Sequence, residues 1–114
     1  MLIIISVYSE SKPNPYFQVK AINGVVVRTT HAYWHKIISS KHPAMAGREE
    51  DVKLALQQPD EIRQSIHNES VLLYYRKKDN YHTCVVVRIL DGEGFIITTY
   101  ITDRVKEGKS KWKR

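Results

Sequence analysis

The sequence predicts an α+β domain in which two helices pack on one face of an antiparallel sheet. Two runs rich in β-branched residues flank Asn23-Gly24, which is typical of a β-hairpin. Apolar residues then recur at helical spacing in two stretches, and four segments of strand composition follow. The chain has 114 residues, 42% of them hydrophobic, and a net charge of +6, which suits one domain with one core.

The N-terminal part is predicted to be β structure. Leu2 to Tyr8 has the composition of a strand, and two prolines indicate a loop over residues 9–15. Strands are predicted at Phe17–Ile22 and Val25–Thr29. They are joined by a type I′ turn at Asn23-Gly24, because both residues tolerate positive φ angles.

Two helices are predicted in the middle of the chain. The first covers residues 31–40, where apolar side chains have helical spacing and Thr30 serves as the N-cap. The second runs from about Arg48 to Gln58, since three acidic residues in its first turn complement the helix dipole. Pro59 ends it.

Four strands are predicted after the helices, in the order Ile62–Ile66, Val71–Lys77, Tyr81–Leu90 and Gly94–Thr102. The last three are separated by short segments of turn residues, which favours an antiparallel meander. The sequence therefore predicts an N-terminal hairpin, two helices and a four-stranded antiparallel sheet.

Most of the positive charge lies in residues 104–114, where six Lys and Arg and one Glu give 6 − 1 = +5. A basic segment with an aromatic side chain neutralises phosphates and stacks on unpaired bases. The alternative is a frayed terminus, and composition does not distinguish the two. The candidate RNA-binding residues are Lys77, Lys106, Lys109, Lys111, Trp112 and Lys113.

Several classes of function have little support in the sequence. The single cysteine, Cys84, excludes an internal disulfide framework and a multi-cysteine zinc site. His31 and His35 share a helical face, but no further ligand completes a metal site, so neither metal nor cofactor is predicted. The apolar run Met1 to Ile5 is too short to span a bilayer, and we expect a cytoplasmic protein.

A set of imidazole, guanidinium and hydroxyl groups suits RNA cleavage without a metal. In that reaction the 2′-hydroxyl attacks its own phosphate, one group takes its proton, and another protonates the departing 5′-oxygen. Histidine titrates in the required range, arginine grips phosphate, and hydroxyl groups orient it. The candidate catalytic residues are His35, His42, Arg76, Thr98 and Tyr100. Because Tyr and Thr are also common strand formers, a purely structural role stays open.

A series of short motifs resembles a known family in order and spacing. The motifs are Trp34-His35-x-x-Ile38, His42-Pro43, Val52 to Leu56, Pro59-Asp60-Glu61-Ile62, Ser65, Val71 to Arg76, Val85-Val86-Val87 and Gly94 to Tyr100. Together they resemble the phage-type barnase/EndoU/colicin/RelE-like small nucleases, over about residues 30–112.

The resemblance implies one domain over residues 1–114, with a nuclease-like core at 30–103, a β addition at 1–29 and a basic tail at 104–114. It implies a toxin or a relative that cuts RNA, including tRNA, mRNA or ribosome-bound RNA, and that pairs with a small acidic antitoxin.

The site residues that the resemblance implies are His35 as general acid or base, Arg76 as phosphate clamp, and Thr98 and Tyr100 for positioning. His42 matches the second histidine of the helix motif, although a His before Pro at a helix end also caps carbonyl groups. Thr99 departs from the small residue that relatives often have there.

Two alternatives keep the fold without the chemistry. The first is an RNA-binding domain that does not cut its ligand. The second is a protein-interaction module in which the strand Leu2 to Tyr8 pairs with a partner strand.

Overall fold

The computed structural model describes residues 14–114, which form one seven-stranded sheet with two short α-helices. The predicted strand Leu2 to Tyr8 lies outside the described residues. The strands are β1 (Phe17–Lys20), β2 (Val26–Thr29), β3 (Glu61–Gln64), β4 (Val71–Lys78), β5 (Tyr81–Leu90), β6 (Glu93–Thr102) and β7 (Lys109–Lys113). The helices are α1 (His31–Lys36) and α2 (Glu49–Gln57).

The α+β class is confirmed, but the prediction of a four-stranded sheet is wrong. The strand order is β1-β2-β6-β5-β4-β3-β7, and the four predicted strands are its β3 to β6. The hairpin joins them because β2 pairs in parallel with β6, and β7 extends the sheet by pairing with β3. Both additions satisfy backbone groups that a four-stranded sheet leaves unpaired at its edges. The frayed-terminus alternative is therefore wrong for Lys109–Lys113.

The N-terminal hairpin is confirmed, but its turn differs from the prediction. Gly24 has a φ of 89°, whereas Asn23 is not among the residues with positive φ, so a type I′ turn is wrong here. The backbone N–H of Ala21 donates to the Val25 carbonyl, and the loop has three residues that end in glycine. Two consecutive positive φ angles occur instead at Asp91-Gly92, between β5 and β6.

The first predicted helix begins where expected but does not keep α geometry. The Thr30 hydroxyl accepts a hydrogen bond from the backbone N–H of Tyr33, as an N-cap does. After α1 the chain continues as a π-helical turn over Ile37–Lys41 and a 3₁₀ turn over Pro43–Met45. The second predicted helix is confirmed as α2.

The main core lies between the helices and one face of the sheet. It contains fully buried side chains from the turn after α1, from α2, from β4 and from β5, which are Ile37, Leu56, Tyr74 and Val85. A smaller cluster on the opposite face contains Leu73, Tyr75 and Cys84, and Val105 packs against it. The sheet thus has a helix-covered face and a helix-free face, and the two differ in depth of burial. No helix within residues 14–114 is both long enough and apolar enough to cross a membrane.

Candidate functional site

Strand register divides the candidate catalytic residues between the two faces of the sheet. Arg76 pairs with Thr83 and shares the helix-covered face with Tyr74, because alternate residues of a strand point the same way. Tyr100 pairs with Cys84 on the helix-free face. Thr98 follows the same alternation as Tyr100, so the guanidinium and these two hydroxyl groups lie on opposite sides of β4 to β6.

Arg76 has a structural contact that accounts for its position. Its Nη1 donates to the Gln58 carbonyl at 2.7 Å, at the C-terminal end of α2. A cation there satisfies a carbonyl without a helical partner and complements the helix dipole. Lys77 lies beside it, and its backbone N–H donates to an Asp60 carboxylate oxygen at 2.5 Å.

His35 lies on the exposed side of α1. Of five clefts in residues 14–114, none is lined by His35, and Arg76 lines one that Thr98 and Tyr100 do not. The structure therefore does not bring His35 and Arg76 into one cleft. The catalytic roles of His35 and Arg76 remain predictions from the sequence, and none of these five clefts contains both residues.

His42 does meet another candidate residue. Its imidazole centroid lies 5.5 Å from the ring centroid of Tyr100, and the two rings are tilted by 37°. The contact exists because β2 pairs only with Glu93 to Phe95 of β6, and the turns after α1 lie against the rest of that strand. The backbone N–H of His42 donates to the Ile37 carbonyl at 2.7 Å, which fixes the residue at the end of the π-helical turn.

Thr98 and Tyr100 share a cleft of about 530 Å³ on the helix-free face, here called the Tyr100 cleft. Its remaining lining residues are Ser65, Ile66, His67, Val71, Leu73, Val86, Lys106, Glu107 and Gly108. Within the described residues the Thr98 hydroxyl is buried and has no hydrogen-bond partner. The cleft thus combines an apolar floor with an ammonium group, an imidazole, a carboxylate and the hydroxyl groups of Ser65, Thr98 and Tyr100.

A buried cluster of hydroxyl and thiol groups supports the floor beside the cleft. Burial raises the pKa of Tyr100, and the adjacent Cys84 and Tyr75 raise it further, so the phenol stays protonated and acts as a hydrogen-bond donor. Burial also raises the pKa of the Cys84 thiol to about 12. Cys84 is fully buried and remains a thiol at neutral pH, which argues against a nucleophilic role.

Residues 103–108 form a strap that carries Lys106 and Glu107 across the helix-free face from β6 to β7. The strap passes four strand spacings, about 19 Å, and seven residue steps reach about 24 Å when fully extended, so there is little slack. Arg63 Nη1 donates to the Gly108 carbonyl at 3.1 Å. The Tyr100 hydroxyl donates to a Glu107 carboxylate oxygen at 3.4 Å. The strap is therefore held at its last two residues.

The candidate RNA-binding residues fall into three places. Lys106 lines the Tyr100 cleft, and Lys77 lies beside Arg76. The other four are exposed on β7, at the edge of the sheet beyond β3, and are Lys109, Lys111, Trp112 and Lys113.

Two titratable residues of the cleft were not among the sequence candidates. His67 lies in the loop between β3 and β4, and Glu107 is the lone acidic residue of a basic segment. Neither belongs to a motif with recognisable spacing. The crossing of the strap brings Glu107 to Thr98 and Tyr100, and the β3–β4 loop brings His67 there. Among residues 14–114, no three His, Cys, Asp or Glu side chains form a group that would hold a metal ion.

Comparison of the chain with family models, with curated proteins and with solved structures finds no match. The resemblance to small nucleases therefore stays a prediction from the sequence motifs.

Proposed function

We propose that this chain is a cytoplasmic ribonuclease that cleaves RNA by attack of a 2′-hydroxyl group, and that the Tyr100 cleft is its active site. The observation that carries the proposal is the contact between His42 and Tyr100, beside a cleft that also contains Thr98 and Lys106. An imidazole next to neutral hydroxyl donors and a cation is the set of groups that this reaction requires.

Each group has a role in the proposed reaction. His42 takes the proton of the 2′-hydroxyl, whose oxygen forms a bond to phosphorus while the bond to the 5′-oxygen breaks. His67, on the β3–β4 side of the cleft, returns a proton to the 5′-oxygen. Lys106 and the hydroxyl groups of Thr98 and Tyr100 stabilise the charge that grows on the phosphorane oxygens. The products are a 2′,3′-cyclic phosphate and a free 5′-hydroxyl.

The proposal replaces two of the residues expected from the sequence. His42 takes the place of His35 because its ring contacts Tyr100, which lines the cleft, although neither histidine itself lines any of the five clefts. Lys106 takes the place of Arg76, whose guanidinium is bound to the end of α2 on the other face. Within this proposal Arg76 stabilises the fold.

A set of histidine variants tests the assignment. Purified wild-type protein is incubated with tRNA, mRNA and translating ribosomes in EDTA, and products are mapped by their 2′,3′-cyclic phosphate ends. We expect His42→Ala to lower the rate about 100-fold, since loss of a general base has about that effect. His31→Ala, a variant of an exposed helix residue that lines none of the five clefts, serves as the matched control. A loss of activity in His35→Ala with none in His42→Ala would overturn this assignment in favour of the one from the sequence.

The biological setting that we propose is a toxin paired with a small acidic antitoxin. The positive charge of β7, which has three lysines and no acidic residue, supports an acidic partner, because complementary charge speeds association. Expression of the wild-type chain should arrest growth, and His42→Ala should not. Growth without arrest, together with intact RNA in every assay, would contradict both the toxin and the nuclease proposals.

One observation favours a second candidate function, RNA binding without cleavage. Three lysines and Trp112 are exposed on β7, away from the Tyr100 cleft. Such a strand binds single-stranded RNA through charge and stacking, with strong dependence on salt. If RNA binds, remains uncut, and is released when Lys109, Lys111 and Lys113 are changed to Gln, this second function replaces the first.

A further inference from the structure

A second cleft adjoins the Tyr100 cleft, with Arg88 and Phe95 of the helix-free face on one side and Tyr33 of α1 on the other. It has a volume of about 590 Å³ and lies between β2, β6 and the start of α1. We call it the Arg88 cleft, and its main lining residues are Tyr33, Arg28, Arg88, Leu90, Phe95 and Ile97. Two guanidinium groups therefore border an apolar and aromatic floor, an arrangement that suits a ligand with an anionic part and a flat apolar part.

The two clefts are contiguous along both central strands. Val86 lines the Tyr100 cleft and Arg88 lines the Arg88 cleft, and these residues are two positions apart on the same face of β5, a separation of about 7 Å. On β6, Ile97 and Thr98 are sequence neighbours that line different clefts. The register shift between Val86 and Val87 lies at this boundary. A single extended strand of RNA that enters one cleft therefore reaches the other.

The two arginines differ in their contacts. Arg28 is held in place, because its guanidinium lies 4.8 Å from the centroid of the Phe95 ring and forms an ion pair with Glu93. Arg88 is exposed and forms no ion pair with a carboxylate of residues 14–114. Its donors are therefore available to an external phosphate, to which arginine binds in a bidentate manner.

We infer that the Arg88 cleft is a subsite for nucleotides adjacent to the cleaved bond, in which Arg88 binds a phosphate and the base packs against Leu90 and Ile97. This inference rests on the proposed function, since it extends the same RNA substrate along the helix-free face. It also restricts the substrate class to single-stranded RNA, because a base that remains paired and stacked does not reach an apolar floor.

Binding of RNA that the protein does not cut tests the subsite directly. The probe is a fluorescent hexanucleotide whose 2′-hydroxyl groups are replaced by fluorine, which removes the attacking nucleophile, and affinity is measured by anisotropy on the full chain. We expect Arg88→Gln to weaken binding about tenfold, since a charged hydrogen bond contributes about that factor. The slope of log affinity against log salt should fall by about 0.7.

The matched control is Lys36→Gln, which removes the same charge from the exposed side of α1. We expect its affinity to stay within a factor of two of wild type. Equal losses for Arg88→Gln and Lys36→Gln, or no binding of the hexanucleotide to wild-type protein, would overturn the inference.

Cleavage of unmodified RNA separates the failure of this inference from the failure of the proposed function. Arg88→Gln should raise the KM for a hexanucleotide and leave the cleavage of a dinucleotide unchanged, because a dinucleotide does not fill both clefts. Arg88-dependent binding without any cleavage contradicts the nuclease proposal and supports the subsite. Cleavage with the same KM in wild type and Arg88→Gln contradicts the subsite and leaves the nuclease proposal standing.

Discussion

The two faces of the central strands contain neighbouring residues of one sequence, yet they differ in what covers them and in the size of the buried cluster on each. On the helix-covered face Tyr74, Val85 and Val87 are fully buried under α2 and the turns after α1. On the helix-free face Val86 and Thr98 are only partly buried, and a single strap crosses them. The first face contributes most of the burial that stabilises the fold, and the second carries the Tyr100 cleft.

Truncation in the core should have the largest effect. Leu56→Ala removes a fully buried side chain of α2, and we expect a loss of about 3 kcal/mol in the free energy of unfolding from the lost burial and the cavity. Val86→Ala, on the half-buried face, should cost about 1 kcal/mol. Urea denaturation followed by circular dichroism measures both. Equal losses would mean that the two faces contribute alike.

The strap offers a test of how the helix-free face is closed. Gly108 has a φ of 84°, and an added Cβ would lie 2.8 Å from the Gln64 carbonyl oxygen. We therefore expect Gly108→Ala to cost about 2 kcal/mol. Hydrogen exchange should show the loss at β7 and not at β5. Gly92→Ala also has a positive φ but meets no atom within 4 Å, so it isolates the backbone strain from the clash.

Thr98 and Thr99 are adjacent in β6 and lie on opposite faces, so removal of each hydroxyl group compares its contribution to stability on the two faces. The Thr99 hydroxyl is buried and donates to the Cys84 carbonyl at 2.7 Å, so Thr99→Val should cost about 1 kcal/mol. The Thr98 hydroxyl has no partner among the described residues, so Thr98→Val should leave the free energy of unfolding unchanged. We expect Thr98→Val to slow RNA cleavage nonetheless. A stability loss in Thr98→Val equal to that in Thr99→Val would show that both hydroxyl groups are structural.

The smallest predicted effect concerns pH and the edge strand β7. Burial by itself would raise the pKa of Glu61, but the neighbouring Ser110 hydroxyl and the positive charges of Arg63 and Lys113 outweigh it, so the pKa lies below 4.5. The folded state therefore favours the carboxylate, and its contribution is present above pH 4.5 and is lost as the pH falls through the lower folded pKa. NMR should show faster hydrogen exchange of the β7 backbone amides in wild type as the pH falls below 4.5. Glu61→Gln should abolish this pH dependence. If the β7 amides of Glu61→Gln respond to pH as those of wild type do, the prediction is wrong.

Local patterns predicted most of the elements, because the information that specifies them is short-range. The Asn23-Gly24 hairpin, the Thr30 cap and the boundaries of β5 follow from turn residues and alternation. The turn type at Gly24 did not follow, since loop length depends on how two strands pair. The site was predicted only in part. Thr98 and Tyr100 share a cleft, and His42 contacts Tyr100, whereas Arg76 lies on the other face.

The sequence by itself determined the class of the fold, the order of its helices and strands from β1 to β6, and the concentration of charge near the C-terminus. The tertiary structure decided the number of strands in the sheet and the composition of the candidate site. Both depend on pairings between distant segments, β2 with β6 and β7 with β3, that no local turn signals. Strand register decided which face carries Arg76 and Tyr100, because a shift of one residue moves every side chain of a strand to the opposite face.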